Sequence, residues 1–194
     1  MKIRNLRILT GILTIMIVVD ALWTPIVLGM ALAAPTAFQT LVTPIAASVD
    51  LAAIVFKIAT MIVFCGWIYM AGKNLVAAGF EDLEFTPAAR IWWFAIPIAG
   101  LFKPFQGMRE LWNASRGVYP YETNESLVAT WWALWLASNI AGLVLNNARG
   151  SDDVVLWVTG ALDMGLAAVA IVMIRGIAQA QRRLDGSDLS EVFA

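Results

Sequence analysis

Four stretches of about 20 apolar residues dominate this chain, and each is long enough to cross a hydrocarbon core at roughly 1.5 Å per helical residue. They run over about 8–32, 51–72, 127–148 and 154–174. Asp20, Lys57 and Asp163 are the only charges inside the first, second and fourth, and the third has none. A fifth apolar stretch, 91–102, contains Pro97, ends at Lys103-Pro104 and is short for a span. It reads as re-entrant or interfacial.

Composition agrees. Of 194 residues, 60% are apolar and 14% charged, whereas a soluble domain carries about 25% charged residues. The reading is an all-α integral membrane protein forming one domain over 1–194. It has four transmembrane helices plus a cytoplasmic re-entrant or interfacial helical hairpin over about 87–116. A polar tail, 182–194, follows. The net charge of -1 gives no global basic field, so no nucleic-acid partner is expected. There is no histidine and only one cysteine, Cys65. No metal site, cofactor or enzymatic activity is therefore expected.

Cation placement orients the spans. With four crossings, eleven cations fall on the side of both termini: Lys2, Arg4, Arg7, Lys73, Arg90, Lys103, Arg109, Arg116, Arg175, Arg182 and Arg183. Arg149 alone falls opposite. The positive-inside rule puts both termini in the cytoplasm. A fifth crossing would erase that bias. The basic start, apolar run and Ala31-Leu32-Ala33 also resemble a signal peptide, but the run is too long and Asp20 interrupts it.

Between the second and third spans, Thr86-Pro87 reads as an N-cap with proline at the first helical position. Pro104 suits the first turn of another helix. There Leu101, Phe105, Met108 and Trp112 share one face, and Gln106, Arg109, Asn113 and Arg116 another. Two readings stand. In one, Lys103, Arg109, Trp112 and Arg116 contact lipid or a partner at the interface. In the other, the segment is a hairpin that plugs the bundle from below. Trp67, Trp92, Trp93, Trp112, Trp131 and Trp132 are placed near the cytoplasmic face, and Trp23 and Trp157 near the outer face, as an aromatic belt.

Phe64-Cys-Gly-Trp67-Ile-Tyr69, Lys73-Asn74-Leu75, Gly79 and Phe85-Thr-Pro87 open a recognisable pattern. It continues through Trp92-Trp93-Phe94, Ile96-Pro97-Ile98, Lys103-Pro104-Phe-Gln106, Met108-Arg109-Glu110-Leu-Trp112 and Ala114-Ser115. Trp131-Trp132-Ala-Leu-Trp135-Leu and Ser138-Asn139 complete it. Together these residues resemble an uncharacterised bacterial membrane family, domain of unknown function 4328. The likeness runs roughly over 50–182 and is densest at 64–115. It implies a bacterial multi-span membrane protein, with no activity, cofactor or catalytic residue to carry over.

Depth arithmetic singles out an intramembrane polar cluster. At 1.5 Å per residue in a core of about 30 Å, Asp20, Lys57, Asn139 and Asp163 stand about 18, 21, 18 and 16–17 Å from the inner boundary. Two acids and one base share this layer, so one acid can pair with Lys57. The layer is either a proton or cation relay, or a polar lock that fixes helix register with one neutral Asp bonded to Asn139. Ser138-x-x-x-Gly142 and Ala161-x-x-x-Gly165 would permit close helix approach. The sequons at Asn113 and Asn124 fall on the cytoplasmic side, and Cys65 reads as a small packing residue.

Three functions follow from these features. One is a non-enzymatic accessory or scaffold subunit that works through helix and lipid contacts, with the bilayer, a larger complex or a second copy as partner. Another is a small transporter or proton-coupled carrier using Asp20, Lys57 and Asp163. The third, a lipid-modifying enzyme with Lys103, Arg109 and Glu110 at headgroup level, lacks a nucleophile-and-base constellation.

Overall fold

The computed structural model describes residues 3–147 and 153–184, which are helical and contain no strand. Lys2, Arg149 and the tail beyond residue 184 lie outside the described residues. Five helices organise the rest: α1 Arg7–Ala33, α2 Ala46–Ala77, α3 Lys103–Ser115, α4 Ser126–Asn147 and α5 Asp153–Arg183. All but α3 are long and apolar enough to cross a membrane.

Two boundaries differ from the sequence reading. Residues 35–45, which lie outside the spans drawn from sequence, run helically into α2 through a π-turn at Phe38–Val42 and a 3-10 turn at Thr43–Ile45. Pro44 has no N–H for the carbonyl of Thr40, so the winding changes there instead of stopping. The Thr43 N–H reaches back to Phe38 O, and Thr40 Oγ1 donates to Thr36 O at 3.0 Å. At the other end of the chain, α5 continues past Arg175 to Arg183 because protein covers its last turns: Ile177, Ala178 and Gln181 are buried.

The long helices follow the spatial order α2, α1, α5, α4. α5 packs along both α1 and α4, and α1 packs along α2. Small residues mark the seams: a Cβ at Gly160 would meet Pro25 and Thr24 at 3.8 Å, and one at Gly165 would meet Leu134 at 3.8 Å. Gly142 has no neighbour within 4 Å, so the 138–142 pattern makes no close approach there. Among the described residues, α2 and α4 share no extended backbone contact. They meet at one level, where the rings of Phe64 and Trp131 lie 6.3 Å apart.

Nearly all of the dense core sits at one end, which we call the basic end because every described cation but Lys57 lies there. Trp67, Leu75, Leu111, Val128, Met173 and Ile177 form its centre. Residues 80–125 fold back as a cap, with α3 driven between α2, α4 and α5. This agrees with the plug and corrects the interfacial helix. α3 is buried on both faces, with Met108, Leu111, Trp112 and Ser115 on one and Glu110 and Asn113 on the other. Amphipathicity predicted the helix but assigned its apolar side to lipid, whereas protein covers it. Trp112 lies against Gly176 so closely that a Cβ there would stand 2.7 Å from its ring.

The belt needs the same correction. Trp67, Trp112, Trp131 and Trp132 are core residues. Trp92, Trp23 and Trp157 are exposed, as belt residues would be.

Candidate functional site

Two polar groupings distinguish this fold: a lock inside the cap and a layer halfway along the long helices. The lock begins at Thr86, whose Oγ1 accepts from Ala89 N at 3.1 Å and caps the turn that carries Arg90. The Arg90 guanidinium, 1% exposed, donates to the Glu110 carboxylate and, through Nε, to Gly107 O at 3.3 Å. Glu110 also accepts from the backbone N–H groups of Glu84 (2.6 Å) and Phe85 (3.3 Å). Gly72 makes room for Arg90, since a Cβ there would stand 2.7 Å from Nη1. Burial pushes the Glu110 carboxyl up, against the Arg90 charge and the two backbone donors. Burial likewise pulls Arg90 below its ordinary value, against the Glu110 charge.

A second set of bonds ties the chain ends into the same cap. Asn74 accepts from Arg4 N at 2.8 Å, and its amide donates to Arg4 O and Gln181 Oε1 at 2.9 and 3.0 Å. Gln181 Nε2 donates to Ala71 O and Ser115 Oγ at 3.0 and 2.9 Å. Asn113 donates to the carbonyls of Tyr121 and Thr123 and holds the loop after α3. None of these partners was foreseen from sequence.

The expected lipid or partner contacts are engaged within the chain. Lys103 bonds Glu84 at 3.1 Å, Arg109 donates to Asn124 at 2.7 Å, and Arg116 stands 3.8 Å from Glu125. Trp112 is buried and offers nothing to a partner.

The layer can be levelled from fixed pins. Trp67 Nε1 donates to Thr10 Oγ1 at 2.8 Å and joins α2 to α1. Asp20 lies ten residues beyond that pin on α1 and Lys57 ten residues beyond it on α2, so both stand about 15 Å above it. From the Phe64–Trp131 contact, Lys57 is seven residues away and Asn139 eight, or about 10–12 Å. Ser138 Oγ donates directly to the Asp163 carboxylate across the α4–α5 seam.

The four residues thus lie at a similar level along the helices, and two details differ from the sequence reading. Among the described residues no direct ion pair joins Lys57 to either acid. Asn139 is exposed and donates to Trp135 O of its own helix at 2.6 Å, so Ser138 supplies the bond expected of it. The signal for Ser138 was its place one residue before Asn139, where it had been read only as a small packing residue.

Lys57 is exposed, two turns from Phe64 on one face of α2. Asn139 stands two turns from Trp132 on α4. Both thus edge the gap where α2 and α4 diverge, with half-buried Asp20 and Asp163 on the two helices behind it. Toward the basic end that gap is closed by Phe64, Trp67, Trp131 and Trp132, whose rings lie 5.5–6.5 Å apart. Such a gap presents two acids and one base to whatever enters from the side. Among the described residues no three Cys, Asp or Glu side chains converge as a metal site requires.

No curated protein and no solved structure matches the chain significantly. The model of one family does match, over residues 39–179, which takes in α2, α3, α4, most of α5 and the whole cap but leaves α1 and Asp20 outside. The chain belongs to the family described as Domain of unknown function (DUF4328).

Proposed function

We propose that this chain is a non-enzymatic accessory or scaffold subunit of the bacterial inner membrane. It crosses four times, keeps both termini cytoplasmic, and works by receiving a partner's membrane segment in the gap between α2 and α4. One observation carries the reading: Lys57 and Asn139 are exposed at mid-helix while the cap below them is tied into itself. A charge left facing lipid at mid-membrane costs roughly 2.5–3.5 kcal/mol on insertion scales. A polar partner surface removes that cost. The ring-lined closure and the bonds of Arg90, Glu110, Asn74 and Gln181 favour a fixed base over a gate.

Photo-crosslinking tests this. A benzophenone amino acid at position 139 should give a discrete protein adduct in native membranes, the partner being another protein or a second copy. One at Ile15, which is 67% exposed, should give lipid adducts only. Lipid adducts alone at both positions would refute the reading.

A second reading, a proton or cation carrier, is favoured by the similar level of Asp20, Lys57 and Asp163 on three helices. It requires flux into proteoliposomes that is abolished by Asp163→Asn.

A further inference from the structure

Residues 92–102 leave a compact apolar surface outside the cap core. Trp92, Ile96, Ile98, Leu101 and Phe102 are 70, 44, 76, 55 and 46% exposed, which is too much contiguous apolar surface to leave in water without a role. The segment is held firmly against α4. The Phe94 ring meets those of Trp132 and Trp135 edge-on at 6.4 and 6.1 Å, and Trp132 Nε1 donates to Leu101 O at 3.0 Å.

Much of its backbone is paired within the segment. Two 3-10 turns, Trp93–Ala95 and Ala99–Leu101, pair part of its backbone internally. Ile96 N bonds Trp93 O, Gly100 N bonds Ile96 O, Leu101 N bonds Ile98 O and Phe102 N bonds Ala99 O. Pro97, at the bend, has no N–H to satisfy. Hydrocarbon tolerates irregular backbone only when such groups are paired or covered.

Depth follows from α4. Trp135 lies nine residues past Ser126, about 13–14 Å along the helix, and half of a 30 Å core is about 15 Å. The contact of Phe94 with Trp135 therefore places the hairpin within one leaflet. At its base Lys103 sits 5.2 Å from the Phe85 ring centroid and bonds Glu84. A cation and an indole at the base with aliphatic residues at the bend is the order that a headgroup–acyl boundary selects.

We propose that residues 92–102 form a single-leaflet wedge covered by phospholipid acyl chains on the side of the basic end. The inference rests on the four-span reading, and its test separates the two. In the full chain carrying Cys65→Ala, single cysteines at Ile98, Ile140 and Tyr119 would be labelled with a fluorophore and reconstituted in phosphatidylcholine–phosphatidylglycerol vesicles. Ile98, Ile140 and Tyr119 are 76, 60 and 76% exposed, so substitution there leaves the core intact. The label at 98 should be quenched by acyl-chain nitroxide as strongly as the label at 140. It should be several-fold less accessible to aqueous iodide than the label at 119. If 98 instead behaves like 119 while 140 stays in lipid, the wedge is refuted and the spans stand. Shielding of 98 from both quenchers also refutes it, because protein then covers the hairpin. Iodide access at 140 would take down both readings.

Discussion

Replacing Glu110 by alanine should cost more than any other single change in the cap. The substitution strands the Arg90 guanidinium, 1% exposed, with Gly107 O as its remaining acceptor. Removing one partner of a buried ion pair costs about 3–5 kcal/mol. It also takes the acceptor from the backbone N–H groups of Glu84 and Phe85. Arg90→Met should cost less, about 1–3 kcal/mol, because Glu110 keeps both backbone donors and can take up a proton. Burial already pushes that carboxyl up, so neutralising it comes easily. The double variant Arg90→Met/Glu110→Leu leaves no unpaired charge and should be more stable than Glu110→Ala alone, since apolar replacement of a buried pair is often near neutral. It should still fall below wild type, because the Glu84 and Phe85 N–H groups lose their acceptor. Thermal unfolding in mild detergent, followed by tryptophan fluorescence, reads the effect directly, since Trp67, Trp112, Trp131 and Trp132 all sit in the capped core. The reasoning fails if Glu110→Ala stays within about 0.5 kcal/mol of wild type. It fails equally if the losses of Arg90→Met and Glu110→Leu, measured singly, simply add in their double variant, with coupling below about 0.5 kcal/mol.

Gly176→Ala should destabilise by about 1–3 kcal/mol through overlap with the Trp112 ring, whereas Gly142→Ala, which has open space, should gain up to about 1 kcal/mol of helix propensity; the same melts distinguish them. Lys57→Met should leave the melt of the isolated chain unchanged or raised, because Lys57 is exposed at mid-helix with no direct ion pair to either acid; a loss above about 1 kcal/mol that Asp20→Asn or Asp163→Asn restores would show that it is coupled to them. Arg116→Glu, which sets a carboxylate beside Glu125, should lower stability by less than about 1 kcal/mol because that pair is solvent-exposed; retention of anionic lipid should change little, and a large loss would revive direct headgroup binding.

The apolar runs made the long helices legible, because a run of that length has few other destinations. The helical segment 35–45 was not drawn from sequence: it falls between two apolar runs and holds two prolines, yet threonine hydroxyls and a π-turn carry the helix through. α3 was legible as a helix but not in its surroundings, since periodicity fixes which residues share a face and not whether lipid or protein covers it. The tryptophans failed for the same reason, as belt and core draw on one residue type. The polar layer was legible because a charge inside a long apolar run stands out and helical rise converts position to depth. The cap lock was not. Arg90 and Glu110 are 20 residues apart and Asn74 and Gln181 are 107 apart, and no local pattern joins residues at such separations. Gly72 and Gly176 were silent too, because their meaning lies in the side chains opposite them.

The account depends most on the chain crossing a membrane four times, with residues 80–125 on the same side as both termini. Single cysteines at Glu81 and Tyr119, both exposed in the cap, would be labelled in sealed inside-out and right-side-out vesicles with a membrane-impermeant maleimide, in the Cys65→Ala background. The account predicts that both label in inside-out vesicles and neither labels in right-side-out vesicles. Labelling of the two positions from opposite sides would mean that residues 91–116 cross the membrane, and would contradict it.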